Sequence, residues 1–308
     1  MRTESSTLTY AKLVIAMALW GGTWVAGRVI VQELAAPLAV NALRFLVAGL
    51  VIGAVMVFSG QTIPCPENRQ DWLLVWGLGF FGIFLYGMCF FFGLQHIPAG
   101  RGALVVALNP VVIVLLAWFA GKERMTPRKA GGCLMALVGC LTVIGNGDPL
   151  ALLHGSIGTG EMLILGCVAA WTTYTFIGWR STHRFSAQAT TLYACLTGAS
   201  LLGLVALVQG DIHPAQWSWR VWSGMLFLAV LGTSVAYTWF TAAVHQLGAG
   251  HTSVFINLVP VFAVLQAAWL LDERLGLSVL LGGLLVIAGV ALTTMHTSQK
   301  TTSLEKTA

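Results

Sequence analysis

Two stretches decide the fold of this chain: residues 94–111, LQHIPAGRGALVVALNPV, and residues 244–261, VHQLGAGHTSVFINLVPV. They match at a constant shift of 150 residues (94 to 244), and each carries an Ala-Gly and a Pro-Val pair at the same spacing. Outward from there, 94–142 matches 244–292 without a gap, and both copies are apolar over membrane-spanning lengths. The sequence therefore predicts a duplicated membrane protein made of two similar helical bundles.

The composition supports this class of protein. Of the 308 residues, 57% are hydrophobic and only 9% are charged, whereas soluble domains carry about 25% charged residues. Apolar runs recur along the whole chain, and about 20 apolar residues suffice to cross about 30 Å of hydrocarbon as a helix. The net charge of +5 comes mainly from residues between these runs. We therefore expect a lipid bilayer, and no nucleic acid, as a partner.

Ten apolar runs are separated by short turns, most of which contain proline or glycine. They predict spans 1 to 10 at 11–31, 38–58, 72–93, 101–120, 128–145, 158–179, 187–209, 219–243, 250–271 and 275–294. Five spans, an odd number, lie in each half, so the second half starts from the opposite side of the membrane. The predicted fold is an all-α integral membrane protein with ten transmembrane helices as two inverted five-helix repeats. The repeats cover 11–146 and 158–295, and 296–308 form a short cytoplasmic tail.

The distribution of basic residues predicts the orientation. Ten spans place both termini on one side, and eleven Lys or Arg residues fall in the loops and tails of that side. The opposite side has only Arg101, Arg220 and Arg274. Because basic loops remain in the cytoplasm, both termini are predicted to be cytoplasmic.

Two prolines are expected to break spans near the middle of the membrane. Pro110 lies nine residues into span 4 and Pro260 lies ten residues into span 9. Each lacks a backbone donor and weakens the helix one turn earlier, near Val106 and Ile256. A freed carbonyl is costly in hydrocarbon, so these kinks are expected to face protein or a water-filled cavity.

Arg44 is the sharpest candidate for substrate binding. It lies about 9 Å into the membrane along span 2, where an unpaired guanidinium is costly. No acid lies in the middle of a span, which leaves two interpretations: helix-end carbonyls satisfy Arg44, or a substrate carboxylate or phosphate does. Arg28, near the end of span 1, can extend outward or meet Glu33, which favours a structural role. In the second half Tyr193 occupies the position that matches Arg44.

Polar aromatic residues and amides within the spans form a second group of candidates. Aromatic rings with a polar edge suit a cavity that binds amphipathic solutes by stacking or cation–π contact. The amides lie beside the proline kinks. Helix packing and interhelical hydrogen bonds are the alternative interpretation. These candidates are Trp20, Thr23, Trp24, Trp171, Tyr174, Tyr86, Tyr237, Asn109 and Asn257.

Several short motifs, in this order and duplicated, resemble the EamA-type members of the drug/metabolite transporter superfamily. The resemblance implies a ten-helix transporter in the bacterial inner membrane, often an exporter of amino acids or other small metabolites. The motifs are Leu19-Trp20-Gly21-Gly22, Leu43-Arg44-Phe45, Ala107-Leu108-Asn109-Pro110-Val111, Gly121-Lys122-Glu123-Arg124, Gly160-Glu161, Ala170-Trp171, Pro260 and Asp272-Glu273-Arg274.

The function predicted is a carrier that exports small metabolites by alternating access around a midplane cavity. A channel-like facilitator and an intramembrane enzyme are the alternatives. The enzyme is disfavoured because neither HExxH nor GxSxG occurs, so no catalytic residue is assigned. The channel is disfavoured because nothing suggests a ring of charged residues.

The same sequence predicts few other partners. Six scattered cysteines and no Cys/His spacing predict neither a metal site nor a cofactor. The absence of acids within the spans predicts exchange or facilitated diffusion, or proton coupling through histidine or the substrate, in place of a carboxylate proton relay. The protein is expected to act on a small-molecule substrate as a monomer or homodimer.

Overall fold

The computed structural model describes residues 6–121, 124–147, 158–181, 184–210, 212–247, 252 and 255–294. The turn at 248–251, Lys122-Glu123 and the tail at 296–308 lie outside these ranges. Eight described helices are long and apolar enough to span a membrane, and two shorter apolar helices bring the number to ten. Together with the inverted arrangement shown below, this confirms the predicted fold class.

The ten spans follow one another through short connections. Spans 3 and 8 each contain a π-helical segment, and span 4 is interrupted by a turn. Their bounds are Ser6–Glu33, Leu38–Phe58, Arg69–His96, Ala99–Phe119, Pro127–Ile144, Thr159–Ser181, Ala187–Gln209, 219–247, Leu258–Leu270 and Leu277–Thr294.

Polar side chains mark where several spans begin. Asn68, Thr126, Ser186 and Ser218 each accept a hydrogen bond from the backbone N–H three residues ahead. This satisfies a donor that has no partner within the helix. Span 7 ends at Gly210, whose φ of 72° is left-handed and therefore suits glycine. Local capping thus sets the helix ends at the membrane surface.

One end of the bundle, called the terminal end, holds the start of span 1 and the end of span 10. Here the Thr9 hydroxyl donates to the Gln246 side-chain oxygen at the end of span 8, at 2.6 Å. Arg184, between spans 6 and 7, lies 2.8 Å from the carboxylate of Asp71 at the start of span 3. This pairing raises the pKa of Arg184 above its ordinary value, because the carboxylate hydrogen-bonds and attracts the guanidinium.

The opposite end, called the far end, joins the other connections. Arg220, at the start of span 8, lies 3.8 Å from Glu33 at the end of span 1. Arg101, at the start of span 4, lies 3.0 Å from Glu161 at the start of span 6. Span 6 therefore begins at the far end, whereas span 1 begins at the terminal end. The two repeats run in opposite directions through the membrane.

Spans 5 and 10 pack together through glycines, and this contact is called the seam. A Cβ atom on Gly132 would lie 2.8 Å from the Gly289 carbonyl oxygen, and one on Gly139 would lie 2.6 Å from that of Gly282. No other residue allows the two backbones to approach so closely. The seam therefore joins the last span of one repeat to the last span of the other.

The helices of four spans are irregular near mid-membrane. In span 4 the helix ends at Val106 and resumes at Asn109, immediately before Pro110. Span 9 has a turn just before its helix starts at Leu258. Spans 3 and 8 contain π-helical segments, Phe80–Leu85 and Phe227–Val235, at matching places in the two repeats. Such segments widen the helix and occur often at functional sites.

Candidate functional site

Four polar side chains from spans 2, 3, 6 and 8 lie deep within the bundle. They are Arg44, Tyr86, Tyr174 and Tyr237, and each has many protein atoms around it. Each nevertheless keeps part of its surface accessible. We infer from this accessible surface that free space lies beside these groups, and this inferred space is called the central hollow.

Aromatic rings form one wall of the central hollow. The rings of Tyr86 and Trp171 lie 5.8 Å apart, and those of Trp171 and Tyr174 lie 5.2 Å apart. Thr191 on span 7 lies beside the phenol groups of both Tyr174 and Tyr237. A Cβ atom on Gly82 would collide with the Tyr174 ring, so this glycine lets the ring lie against span 3. The wall thus offers flat faces and hydroxyl groups at one depth.

Arg44 supplies the cation of the central hollow. Its Nε atom is buried without a hydrogen-bond partner, and its guanidinium lies 4.4 Å from the centre of the Phe45 ring. Within the described ranges, the acids that form ion pairs bind other arginines. These pairs are Arg28–Glu273, Arg101–Glu161, Arg184–Glu67, Arg184–Asp71 and Arg220–Glu33. Arg44 is therefore a cation that the described protein does not neutralise.

Asn41 lies one turn from Arg44 on span 2, and it was not among the residues predicted from the sequence to bind substrate. Its side chain is 0% exposed, and neither its Oδ1 nor its Nδ2 has a hydrogen-bond partner in the described structure. It lies against Gly87, where a Cβ atom would collide with its amide. Arg44 follows three residues later, on the same face of span 2. Asn41 could have been selected from the sequence, because two polar residues three positions apart in an otherwise apolar helix indicate a polar face.

Trp20 and Thr23 have partners elsewhere. The Trp20 indole N–H donates to the Gly232 carbonyl at 3.0 Å, and its ring lies 5.1 Å from that of Phe240. The Thr23 hydroxyl donates to the Trp20 carbonyl at 2.6 Å. The two Trp20 contacts hold span 1 against span 8, as expected for helix packing, whereas the Thr23 hydrogen bond lies within span 1.

Trp24 lies behind the aromatic wall. It is only 4% exposed and meets the Phe90 ring edge-on at 4.9 Å. Phe90 in turn stacks on Tyr86 at 6.1 Å. Trp24 therefore supports the wall through Phe90.

The two asparagines beside the kinks have unused hydrogen-bonding atoms. Asn109 Oδ1 and Asn257 Nδ2 are buried without partners in the described structure, as is the hydroxyl of Thr172 on span 6. Pro110 and Pro260 follow these asparagines by one and three residues. A buried amide without a partner is costly, so these atoms are the polar groups nearest the kinks that the described protein leaves unsatisfied.

Arg28 does not meet Glu33, contrary to one expectation from the sequence. It donates a hydrogen bond to the Leu94 carbonyl at the end of span 3, and its Nε lies 3.9 Å from Glu273. Glu33 instead accepts from Ser218 and pairs with Arg220. Span 1 packs against the turn between spans 3 and 4, and this tertiary packing carries Arg28 away from Glu33.

Arg28 and Glu273 together form a clasp at the far end. The two Glu273 oxygens accept from the backbone N–H groups of Ala99, at 2.9 Å, and Gly100, at 3.2 Å. The carboxylate of Glu273 is stabilised by the partial positive charge at the start of span 4, and the guanidinium of Arg28 by the partial negative charge at the end of span 3. The far-end clasp is thus complementary to both sides of the turn between spans 3 and 4.

The contacts that join spans 3 and 4 to spans 1 and 9 lie in the far half of the bundle. Besides the clasp, a Cβ atom on Gly27 would lie 2.9 Å from the Leu94 side chain, and one on Gly100 would lie 3.4 Å from Val264. The far half is therefore closed between these two sets of spans.

Neither metal nor redox chemistry has an assigned place in this site. No group of three His, Cys, Asp or Glu residues that could hold a metal ion occurs in the described ranges. The six cysteines are free thiols, and five of them are buried. The residues placed at the central hollow offer a positive charge, hydrogen-bonding groups and aromatic faces.

This chain resembles known proteins in sequence over most of its length. It matches the EamA-like transporter family over residues 7–145 and 158–295. The uncharacterized transporter YyaM of Bacillus subtilis is 29% identical, over 82% of this chain and 83% of its own. The uncharacterized inner membrane transporter YicL of Salmonella typhimurium is 25% identical, over 94% and 95% of the two chains.

A solved crystal structure shares the fold. Its TM-score is 0.63 at 23% sequence identity, and the match covers 94% of this chain and 97% of the other. The family match covers most of the chain and includes both inverted repeats, and the relatives are named as transporters, not as enzymes. This chain therefore belongs to the EamA-like transporter family, and it is a multi-pass membrane transporter.

Proposed function

We propose that this protein is a carrier that exports small carboxylated metabolites, such as amino acids, by alternating access around the central hollow. The observation that carries the proposal is Arg44, a guanidinium deep in the bundle with no acidic partner in the described structure. Intramembrane charges of this kind are costly unless something binds them. A substrate carboxylate accepts two hydrogen bonds from a guanidinium and neutralises it.

The neighbours of Arg44 suit the rest of an amino acid. Asn41, one turn away, has a donor and an acceptor that are both unused, and a change of conformation that uncovers its buried side chain would let a substrate reach them. The faces of Tyr86 and Trp171 can hold an ammonium group by cation–π contact, or a side chain by stacking. A substrate with a carboxylate, an amine and an apolar part would therefore satisfy the site.

The arrangement of contacts supports alternating access. The clasp and the glycine contacts close the far half between spans 3–4 and spans 1 and 9. We infer that this conformation is closed to substrate between these spans at the far end. Release at the far end then requires the clasp to open, while the seam holds the repeats together.

Orientation and location follow from the loops and the relatives. The excess of basic residues at the terminal end supports a cytoplasmic location of both termini. YicL is named as an inner membrane transporter, which supports the same membrane for this protein. Transport from the terminal end to the far end is then export. We propose exchange or facilitated diffusion by a monomer or homodimer, since no described span carries an acid near its middle.

Counterflow in proteoliposomes tests the proposal. Internal unlabelled amino acid should stimulate uptake of the labelled amino acid, as a carrier requires and a channel does not allow. The corresponding amines and amides, which lack the carboxylate, should not compete. Arg44→Gln should lower uptake more than ten-fold, whereas Arg180→Gln, an exposed arginine at the terminal end, should leave it unchanged.

Two results would contradict the proposal. Equal competition by decarboxylated analogues would remove the role of the carboxylate. Unsaturable uptake without counterflow would indicate a channel.

A further inference from the structure

A second cavity lies at the far end, apart from the central hollow. It has a volume of about 870 Å³ and lies between the second half of span 1, the start of span 8 and the end of span 9. None of the residues that border the central hollow lines it. This cavity is called the far crevice.

The far crevice changes from apolar to polar along its length. Its deep part is lined by Gly22, Val25 and Phe227, together with Gln266, whose amide already donates to the Ala18 carbonyl at 3.0 Å. Along span 1 it extends from Gly22 to Glu33, which is about 16 Å of helix. One leaflet of hydrocarbon is about 15 Å thick. The crevice thus has the depth and polarity gradient of a single leaflet.

Charges of both signs surround its rim. Arg220 is 64% exposed and only 3.8 Å from Glu33, a weak pair in water. Asp272 lines the rim, is exposed and forms no ion pair in the described structure. Trp219 is 75% exposed beside them, as is common for tryptophan at the membrane surface. The rim therefore offers one cation and two carboxylates at headgroup depth.

We propose that the far crevice binds a phospholipid of the far leaflet whose headgroup carries a primary amine. One acyl chain occupies the apolar part beside Val25 and Phe227. Arg220 binds the phosphate, and Asp272 and Glu33 bind the ammonium group. An anionic headgroup would leave both carboxylates facing negative charge, and a water-soluble ligand would not fill the apolar part.

Native mass spectrometry of the full-length purified protein tests this binding. The probes are phosphatidylethanolamine, phosphatidylcholine and phosphatidylglycerol with identical acyl chains. Phosphatidylethanolamine should be retained at least five-fold more than phosphatidylcholine, whose quaternary amine has no N–H to donate. Asp272→Asn should abolish this preference, and because Asp272 is exposed the variant is expected to fold.

A second variant tests the apolar part. Ala26 lines the crevice, so Ala26→Leu should fill it and lower retention of all three lipids. Ala54→Leu, at an exposed position of span 2, is the matched control and should not change retention. Equal retention of phosphatidylethanolamine and phosphatidylcholine by the unmodified protein would overturn the proposal. So would unchanged retention in a folded Ala26→Leu variant.

Discussion

The seam and the central hollow differ in how closely they keep the symmetry of the duplication. At the seam, Gly132 meets Gly289 and Gly139 meets Gly282. Gly132 matches Gly282 in the repeat, and Gly139 matches Gly289. Each contact is therefore the image of the other under a half-turn about an axis in the membrane plane.

The central hollow has lost this correspondence. Arg44 of the first repeat matches Tyr193 of the second, which donates to the Pro64 carbonyl at 2.8 Å near the terminal end. Tyr237 of the second repeat matches Gly87 of the first. The cation therefore comes from the first repeat alone, whereas two of the three phenols, those of Tyr174 and Tyr237, come from the second.

The difference between the seam and the central hollow reflects two requirements on the same fold, which are the packing of the repeats and the binding of a substrate. Two inverted bundles that pack on each other need the same small residues on both sides, because backbone contact is mutual. An amino acid has no such symmetry, since its carboxylate and its amine need opposite charges. We therefore expect substitutions to act alike across the seam and unlike across the hollow.

The seam should show the largest effect. Gly139→Ala places a methyl group 2.6 Å from the Gly282 carbonyl oxygen, and Gly282→Ala places one 2.9 Å from that of Gly139. Each should cost about 1–3 kcal/mol and lower the melting temperature measured by fluorescence-detected size exclusion. Gly131→Ala is the control, because nothing lies within 4 Å of its added methyl group. A variant at Gly139 or Gly282 as stable as this control would disprove backbone contact at the seam.

Asn41 should separate stability from transport. Asn41→Leu removes a buried amide without partners, so the melting temperature should rise while transport falls about ten-fold. Thr190→Val, at the matching position of the second repeat, removes only a 3.3 Å contact with Ser181 and should change transport less than two-fold. If Asn41→Leu lowers stability and leaves transport intact, Asn41 has a structural role only.

The far-end clasp should make the stability of the start of span 4 depend on the charge of Glu273. Glu273→Gln removes the carboxylate that caps Ala99 and Gly100. These two amides should then exchange hydrogen for deuterium about five-fold faster, as read by mass spectrometry of the peptide that covers them. Glu67→Gln, an exposed carboxylate at the terminal end, is the control. Unchanged exchange at Ala99 and Gly100 would mean that the clasp does not hold the far end closed.

Two matching tryptophans should give the smallest effect. Trp20→Phe removes the hydrogen bond to the Gly232 carbonyl and should cost about 0.5–1 kcal/mol with transport kept. Trp171→Phe, in the wall of the hollow, should keep stability and raise the KM of counterflow about three-fold. Equal changes of KM in the two variants would argue against a separate role for Trp20 in packing.

Most of the architecture was accessible from the sequence, because long apolar runs and prolines act locally. Span number depends on the length of such runs, and inversion depends on their odd number in each half. The interruption of span 4 lies beside Pro110 because a proline removes a backbone donor wherever it stands.

The site was only partly accessible, because its contacts join distant parts of the chain. Arg28 reaches Glu273 rather than the nearby Glu33, and only tertiary packing decides between them. Asn41 was not predicted to be a site residue, because one amide in an apolar helix is usually satisfied by a hydrogen bond to a neighbouring helix. The structure shows that none of the described neighbours satisfies it.

The π-helical segments of spans 3 and 8 change the direction in which the side chains of Tyr86 and Tyr237 point. An extra residue in a helical turn rotates everything that follows by about 100°, the angle per residue of an α-helix. Tyr86 follows Phe80–Leu85, and Tyr237 follows Phe227–Val235. A helical wheel drawn with regular α-helical geometry from the first residue of either span would therefore place these phenols on the wrong face of the helix. Backbone winding, as much as residue identity, thus decides which groups a solute meets.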